Sequence, residues 1–260
     1  MPCCLVGSEM CIRDSYDRIT MAYCFISDLH LHEGRPDITQ AFLTFLEDTA
    51  SKAEKLYILG DLFETWIGDD NQNDFISGVR EALLKTNQTA EIYMMHGNRD
   101  FLLGHEFASS SGMKLITDPK LEEMFGKPVL LMHGDLLCTE DIDYQSFRKT
   151  SRDPQWQKEF LSKSLIERNE IARELRDISK QATGQKKENI MDVTPSEVSK
   201  TMEKSSVNLL IHGHTHRPNS HDIEINNQPA KRIVLGDWDK YGWYLWMDSS
   251  SCELKKFSIS

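Results

Sequence analysis

Five times between Met21 and His216, a short apolar run ends in polar residues able to hold a metal. Tyr23-Cys24-Phe25-Ile26 leads into Ser27-Asp28-Leu29-His30, and Leu56-Tyr57-Ile58-Leu59 into Gly60-Asp61. Residues 92–95 lead into His96-Gly97-Asn98-Arg99-Asp100, and residues 129–132 into His133-Gly134-Asp135. Residues 209–211 lead into His212-Gly213-His214-Thr215-His216. Short apolar runs bounded by Gly and Asp predict buried strands. Residues 232–237 and 242–247 predict two closing strands. Ile38, Ala41, Phe42, Phe45 and Leu46 form one helical stripe, and Phe75, Ile76, Val79, Ala82 and Leu83 another. Strands alternating with helices give an α/β fold, whose ligands sit beyond the carboxyl ends of the strands.

The rhythm stops at about residues 140–200, which read as a polar, helical insertion or lid, with Gly184 marking a loop. Residues 144–190 carry 11 Lys+Arg against 7 Asp+Glu, a local +4 in a chain of net charge −11. The acidic balance argues against a general nucleic-acid binder. At 260 residues the chain suits one large domain, residues 21–260, carrying that insertion. Residues 1–20 show no helix or strand period and resemble translated adapter sequence, so Met21 is read as the native start. No apolar run reaches the roughly 18 residues of a membrane span, and no signal peptide is evident. Six cysteines without a Cys-x-x-Cys pair read as free thiols in a reducing, cytosolic protein.

Asp28 and His30, two apart, would share one side of an extended chain, as would His214 and His216. With Asp61, Asn98 and His133 they make three oxygen donors and four imidazoles. Mixed ligation of this kind suits Mn, Fe, Zn, Ni or Co, and seven donors fit two ions sharing a carboxylate. His96 and His212 each precede a glycine at a strand end and read as structural.

The ordered motifs D-x-H, G-D, G-N-R-D, H-G-D and G-H-T-H resemble the calcineurin-like metallophosphoesterases. That resemblance implies a two-sheet β-sandwich flanked by helices, a four-layer αββα arrangement. It implies one metal on Asp28, His30, Asp61 and His216 and a second on Asp61, Asn98, His133 and His214. ISDLHL, LYILGDLFETWIGDD, HGNRDFLLG, LMHGDLLCTED, IMDV and LIHGHTHRP are closer still to the UDP-2,3-diacylglucosamine hydrolase family of lipid A biosynthesis. The family implies two Mn²⁺ ions and hydrolysis of the pyrophosphate of a UDP-linked diacylated glucosamine, giving the lipid monophosphate and UMP. It implies substrate contacts at Asn98, Arg99, Asp141, Ser179, Thr183, Lys186 and His214, with Asn98, Arg99 and His214 catalytic. The stretch QATGQKK at 181–187 departs from the family pattern, which weakens the transfer to Thr183 and Lys186.

Arg99 offers planar donors to a phosphate, against the plainer reading of an ion pair with Asp100. In the insertion, Trp156, Phe160, Leu161, Leu165 and Ile166 alternate with Lys158, Lys163, Arg168, Arg173 and Arg176. Periodicity alone favours a packed helix pair; the resemblance favours an acyl-chain groove with a basic, membrane-facing surface. The expected setting is the cytoplasmic side of the inner membrane of a Gram-negative bacterium, peripherally associated and monomeric, without nucleic acid. The alternatives are a nucleotide pyrophosphatase, a cyclic-nucleotide phosphodiesterase, a phosphoprotein phosphatase, or a metal-free binding module on the same scaffold.

Overall fold

The structure, a computed structural model, describes residues 21–185 and 192–260. Strand β1 (Ala22–Ile26) is buried along its whole length. It pairs in parallel with β2 (Lys55–Leu59), which pairs with β3 (Glu91–Met95) and then β4 (Met113–Ile116). On its other side β1 pairs antiparallel with β10 (Tyr241–Asp248), which carries β11 (Cys252–Ser258). The order of this six-stranded sheet is β11-β10-β1-β2-β3-β4. The second sheet runs β5-β6-β7-β9-β8, from β5 (Lys120–Met124), β6 (Lys127–Met132), β7 (Leu209–His212), β8 (Asn219–Ile225) and β9 (Gln228–Val234).

Alternation along the strands sorts three apolar layers. Tyr23, Phe25, Tyr57, Leu59 and Met95 from the first sheet meet Val129, Leu131, Ile211 and Ile233 from the second. On the outer face of the first sheet, Cys24, Ile26, Leu56, Ile58, Ile92 and Met94 pack on helices. Those helices are α1 (Pro36–Asp48), α2 (Asp74–Thr86) and α3 (His105–Ser110). Helix α1 starts on a proline, tolerated where the N–H has no helical partner. Asn73 caps α2 by accepting from the Ile76 amide at 2.8 Å. Ile38, Phe42, Phe45 and Leu46 of α1 and Ile76, Val79 and Leu83 of α2 are buried, the stripes read from the sequence. The fourth layer includes α7 (Pro195–Ser205), which sets Val198 and Met202 against Leu130, Met132 and Leu210. The αββα sandwich is thus the observed architecture.

Between β6 and α7 the described chain is helical: α4 (Ile142–Ser151), α5 (Pro154–Leu161) and α6 (Leu165–Gln185). Gly184 lies within α6 instead of in a loop between helices. The apolar stripe of this segment is divided. Phe160 is buried in the core and stacks on Trp156, with ring centroids 5.2 Å apart. Leu161, Leu165 and Ile166 are exposed, Ile166 at 72%. Arg168, expected on a basic outer surface, is instead 3% exposed. It donates to the Ile67 carbonyl at 2.7 Å and to the Lys163 carbonyl at 3.1 Å, and both its terminal nitrogens reach Asp70. A guanidinium can satisfy that many acceptors at once, and it clamps α6 to the loop after β2. Cys24, Cys138 and Cys252 are free thiols. Among the described residues no helix is long and apolar enough to cross a membrane.

Candidate metal centre

The seven expected ligands meet in loops past the carboxyl ends of β1, β2, β3, β6 and β7. The reason Asp28 and His30 converge is not the strand period. Strand β1 ends at Ile26, and Asp28 and His30 have φ of 56° and 52°. Asp61, His214 and His216 are also left-handed, at 55°, 69° and 54°. Non-glycine residues at positive φ carry backbone strain, which neighbours must hold in place. Here the holding is explicit. The Asp28 amide donates to the Gly60 carbonyl at 3.1 Å and the His30 amide to the Asp61 carbonyl at 3.0 Å. The Gly213 amide donates to the His133 carbonyl at 2.8 Å, and the Trp238 amide to the Asp28 carbonyl at 3.0 Å. The motif glycines make this closeness possible. A Cβ on Gly97 would overlap Asp61, and one on Gly213 would overlap Asp28 and Ser27.

The donor atoms face inward. Nε2 of His30 and Nε2 of His216 are 3.3 Å apart. His216 Nε2 is 3.5 Å from Asp28 Oδ1, a buried oxygen with no hydrogen-bond donor of its own. Asp28 Oδ2 is already used, accepting from Ser27 Oγ at 2.6 Å and the His214 amide at 2.9 Å. In the other half, Asn98 Oδ1 lies 2.9 Å from both His133 Nε2 and His214 Nδ1. Asp61 Oδ2 stands 3.9 Å from Nε2 of both His30 and His133, between the two halves. Its Oδ1 accepts from the Arg99 amide at 2.8 Å. Donor atoms of Asp28, His30 and His216, and those of Asp28, Asp61 and His133, lie within 4.8 Å of one another. An unpartnered buried carboxylate oxygen facing imidazole nitrogens is a donor set that fits divalent cations.

Charges inside the cluster agree. Burial opposes ionisation of Asp28, but His216, His133 and His30 outweigh it and hold the carboxyl well below its usual range. Burial likewise opposes charge on His133, yet Asp61, Asp135 and Asp28 push it up to about 9. His216 is raised to about 8 against burial, chiefly by Asp28. His214 is lowered to about 4 by burial and by His133. Cations bound here would take the place of the protons on His133 and His216.

Arg99 is half-buried, and its Nε has no hydrogen-bond partner. The plainer reading paired it with Asp100, but Asp100 spends both oxygens on the Leu62 and Gly97 amides, at 2.7 and 2.8 Å. His96 bonds the Leu103 carbonyl at 2.7 Å, and His212 lies 2.8 Å from the Gly213 carbonyl and 3.1 Å from Arg232. Asp141 caps α4, accepting from the Tyr144 amide at 3.1 Å. Ser179 and Thr183 fall on the backbone of α6, with side chains outside the described residues, where Lys186 lies altogether.

The sequence reading missed an outer ring. Glu64 Oε2 is 2.8 Å from His30 Nδ1, and Asp237 Oδ2 is 3.6 Å from His216 Nδ1. Asp135 accepts from Tyr144 and from Arg148 at 2.8 Å, and the Tyr144 ring lies 5.9 Å from that of His214. Asp135 stands in the H-G-D motif and Glu64 three residues past Asp61, so proximity to a ligand was the available signal.

This is the architecture of a metallophosphoesterase. The family model described as calcineurin-like phosphoesterase matches residues 21–218. A UDP-2,3-diacylglucosamine hydrolase of Marinobacter nauticus is 54% identical over 86% of this chain and 93% of its own. Those of Cellvibrio japonicus and Pseudomonas aeruginosa are 48% and 49% identical, over 90% and 92% of this chain and 98% and 100% of theirs. The chain belongs to the UDP-2,3-diacylglucosamine hydrolase family of the calcineurin-like phosphoesterases.

Proposed function

We propose that the protein hydrolyses the pyrophosphate bond of UDP-2,3-diacylglucosamine, releasing 2,3-diacylglucosamine 1-phosphate and UMP in lipid A synthesis. The observation that carries the reading is the convergence of Asp28, His30, Asp61, Asn98, His133, His214 and His216, in a chain 54% identical to a hydrolase of that name. Asp28, His30, Asp61 and His216 would hold one Mn²⁺ and Asp61, Asn98, His133 and His214 the other. Bound there, divalent cations would offset phosphate charge and lower the pKa of a nearby water.

The chain's own groups do the rest. Arg99, unclaimed by Asp100, presents planar donors to a phosphoryl oxygen. Its backbone amide meanwhile orients Asp61. Asn98 and His214 border the same space and line up the reacting phosphorus. Donors fixed before reaction cost no reorganisation as charge shifts. Asp141, Ser179, Thr183 and Lys186 are the further substrate contacts in this reading. The exposed Leu161, Leu165 and Ile166, beside Lys158 and Lys163, form the surface for acyl chains and an anionic membrane. In this reading the protein works as a monomer on the cytoplasmic face of the inner membrane.

The test is hydrolysis of UDP-2,3-diacylglucosamine in detergent with Mn²⁺, with a small soluble phosphodiester alongside. The reading expects chelator-sensitive release of UMP and strong preference for the lipid. Equal use of the two substrates would favour a general phosphodiesterase.

A further inference from the structure

We propose that Glu64 is a positioning residue for His30, and that Arg176 makes this positioning depend on the seat of helix α6. The inference rests on the reading that His30 holds a cation. An imidazole that offers Nε2 to a metal keeps its proton on Nδ1, and an acceptor at Nδ1 sets both tautomer and ring orientation. The Nε2 of His30 faces His216, so Nδ1 is the atom to be held. That nitrogen is buried, and the carboxylate beside it is Glu64, 2.8 Å away though too bent for a full hydrogen bond.

Glu64 is itself held from two sides. Its amide donates to the Leu31 carbonyl at 3.1 Å, which fixes its backbone against the His30 loop. Its Oε1 pairs with the Arg176 guanidinium, which also donates to the Glu64 carbonyl at 3.3 Å. Side chains of Glu64 and Arg176 are 23% and 24% exposed, so the pair is partly shielded from water. His216 has only the looser counterpart, Asp237 at 3.6 Å. The insertion therefore reaches a ligand in two contacts, Arg176 to Glu64 to His30. Without Arg176 the Glu64 carboxylate can turn away, although Arg176 touches no ligand.

Calorimetric titration of Mn²⁺ into the metal-free full chain tests this, for the parent, Glu64→Gln, Arg176→Gln and the double variant. Glu64→Gln should lower affinity at one of two sites by roughly ten-fold or more, the usual effect of losing an outer-shell partner. Arg176→Gln should give a smaller loss at the same site, and the double variant should be no worse than Glu64→Gln. Parent-like affinity in Glu64→Gln, or losses that add in the double variant, would overturn the coupling. If Glu64→Gln does not fold, parent-like affinity in Arg176→Gln overturns it alone. The comparison needs no substrate: a parent that binds two Mn²⁺ yet leaves the UDP-lipid intact refutes the functional reading only. A parent that binds no Mn²⁺ refutes both.

Discussion

Replacing Arg168 by alanine should loosen the insertion without unfolding the sandwich. The side chain makes two kinds of contact, and their exposure decides which matters. Asp70 is 60% exposed, so its pair with Arg168 behaves as a surface ion pair, worth about 0–1 kcal/mol. The bond to the Ile67 carbonyl lies on the buried side, and a charged hydrogen bond there contributes roughly 1.5–3 kcal/mol. Arg168→Ala should therefore cost about 2–3 kcal/mol of docking, and Asp70→Asn at most about 1 kcal/mol, since Arg168 keeps its carbonyls. If the loss falls on local opening, amides in residues 165–177 should exchange roughly 30- to 150-fold faster in Arg168→Ala. Amides of β1 to β3 should be unchanged. Hydrogen exchange read by mass spectrometry reports both regions in one experiment. Unaltered protection in residues 165–177, or an equal effect from Asp70→Asn, would refute the view of Arg168 as a buried clamp.

Asp61→Ala should abolish binding of both cations, seen in metal content after dialysis, because its carboxylate stands between the two halves of the site. Arg99→Ala should keep both metals while turnover falls roughly 10²-fold, the scale of losing one preorganised electrostatic contact; unchanged turnover would remove Arg99 from the chemistry. Ile166→Glu, at an exposed position on α6, should weaken binding to anionic vesicles and use of the diacylated lipid, and leave a soluble phosphodiester unaffected. Equal losses on both substrates would mean a damaged fold instead.

Which elements were legible in the sequence follows from their place in the sheets. Strands β1, β2, β3, β6, β7, β9 and β10 all lie inside a sheet, and each showed as a run of apolar residues, although β9 (Gln228–Val234) overlaps the expected strand at 232–237 only over residues 232–234. The strands that escaped, β4, β5, β8 and β11, are the four sheet edges. Lys-Leu-Glu-Glu-Met of β5 and Cys-Glu-Leu-Lys-Lys-Phe-Ser of β11 are polar because an edge is exposed and charge there discourages stray pairing. The candidate ligand set could be read because each of its residues follows a buried strand. The way Asp28 and His30 converge was not, since left-handed turns leave no mark on side-chain periodicity. Arg168 misled for a related reason. An Arg in a run of interleaved Lys, Arg and Glu reads as surface, and only the fold shows the Ile67 carbonyl and Asp70 waiting for it.

The central claim is that this site delivers water to the pyrophosphate of a UDP-linked lipid. The direct measurement is turnover of UDP-2,3-diacylglucosamine with Mn²⁺ in isotopically labelled water, with both products weighed by mass spectrometry. The account predicts one solvent oxygen in UMP and none in the lipid monophosphate, as attack on the uridine-side phosphorus requires. Label in the lipid monophosphate would contradict that direction of attack, and an intact substrate beside a fully metal-loaded protein would contradict the function itself.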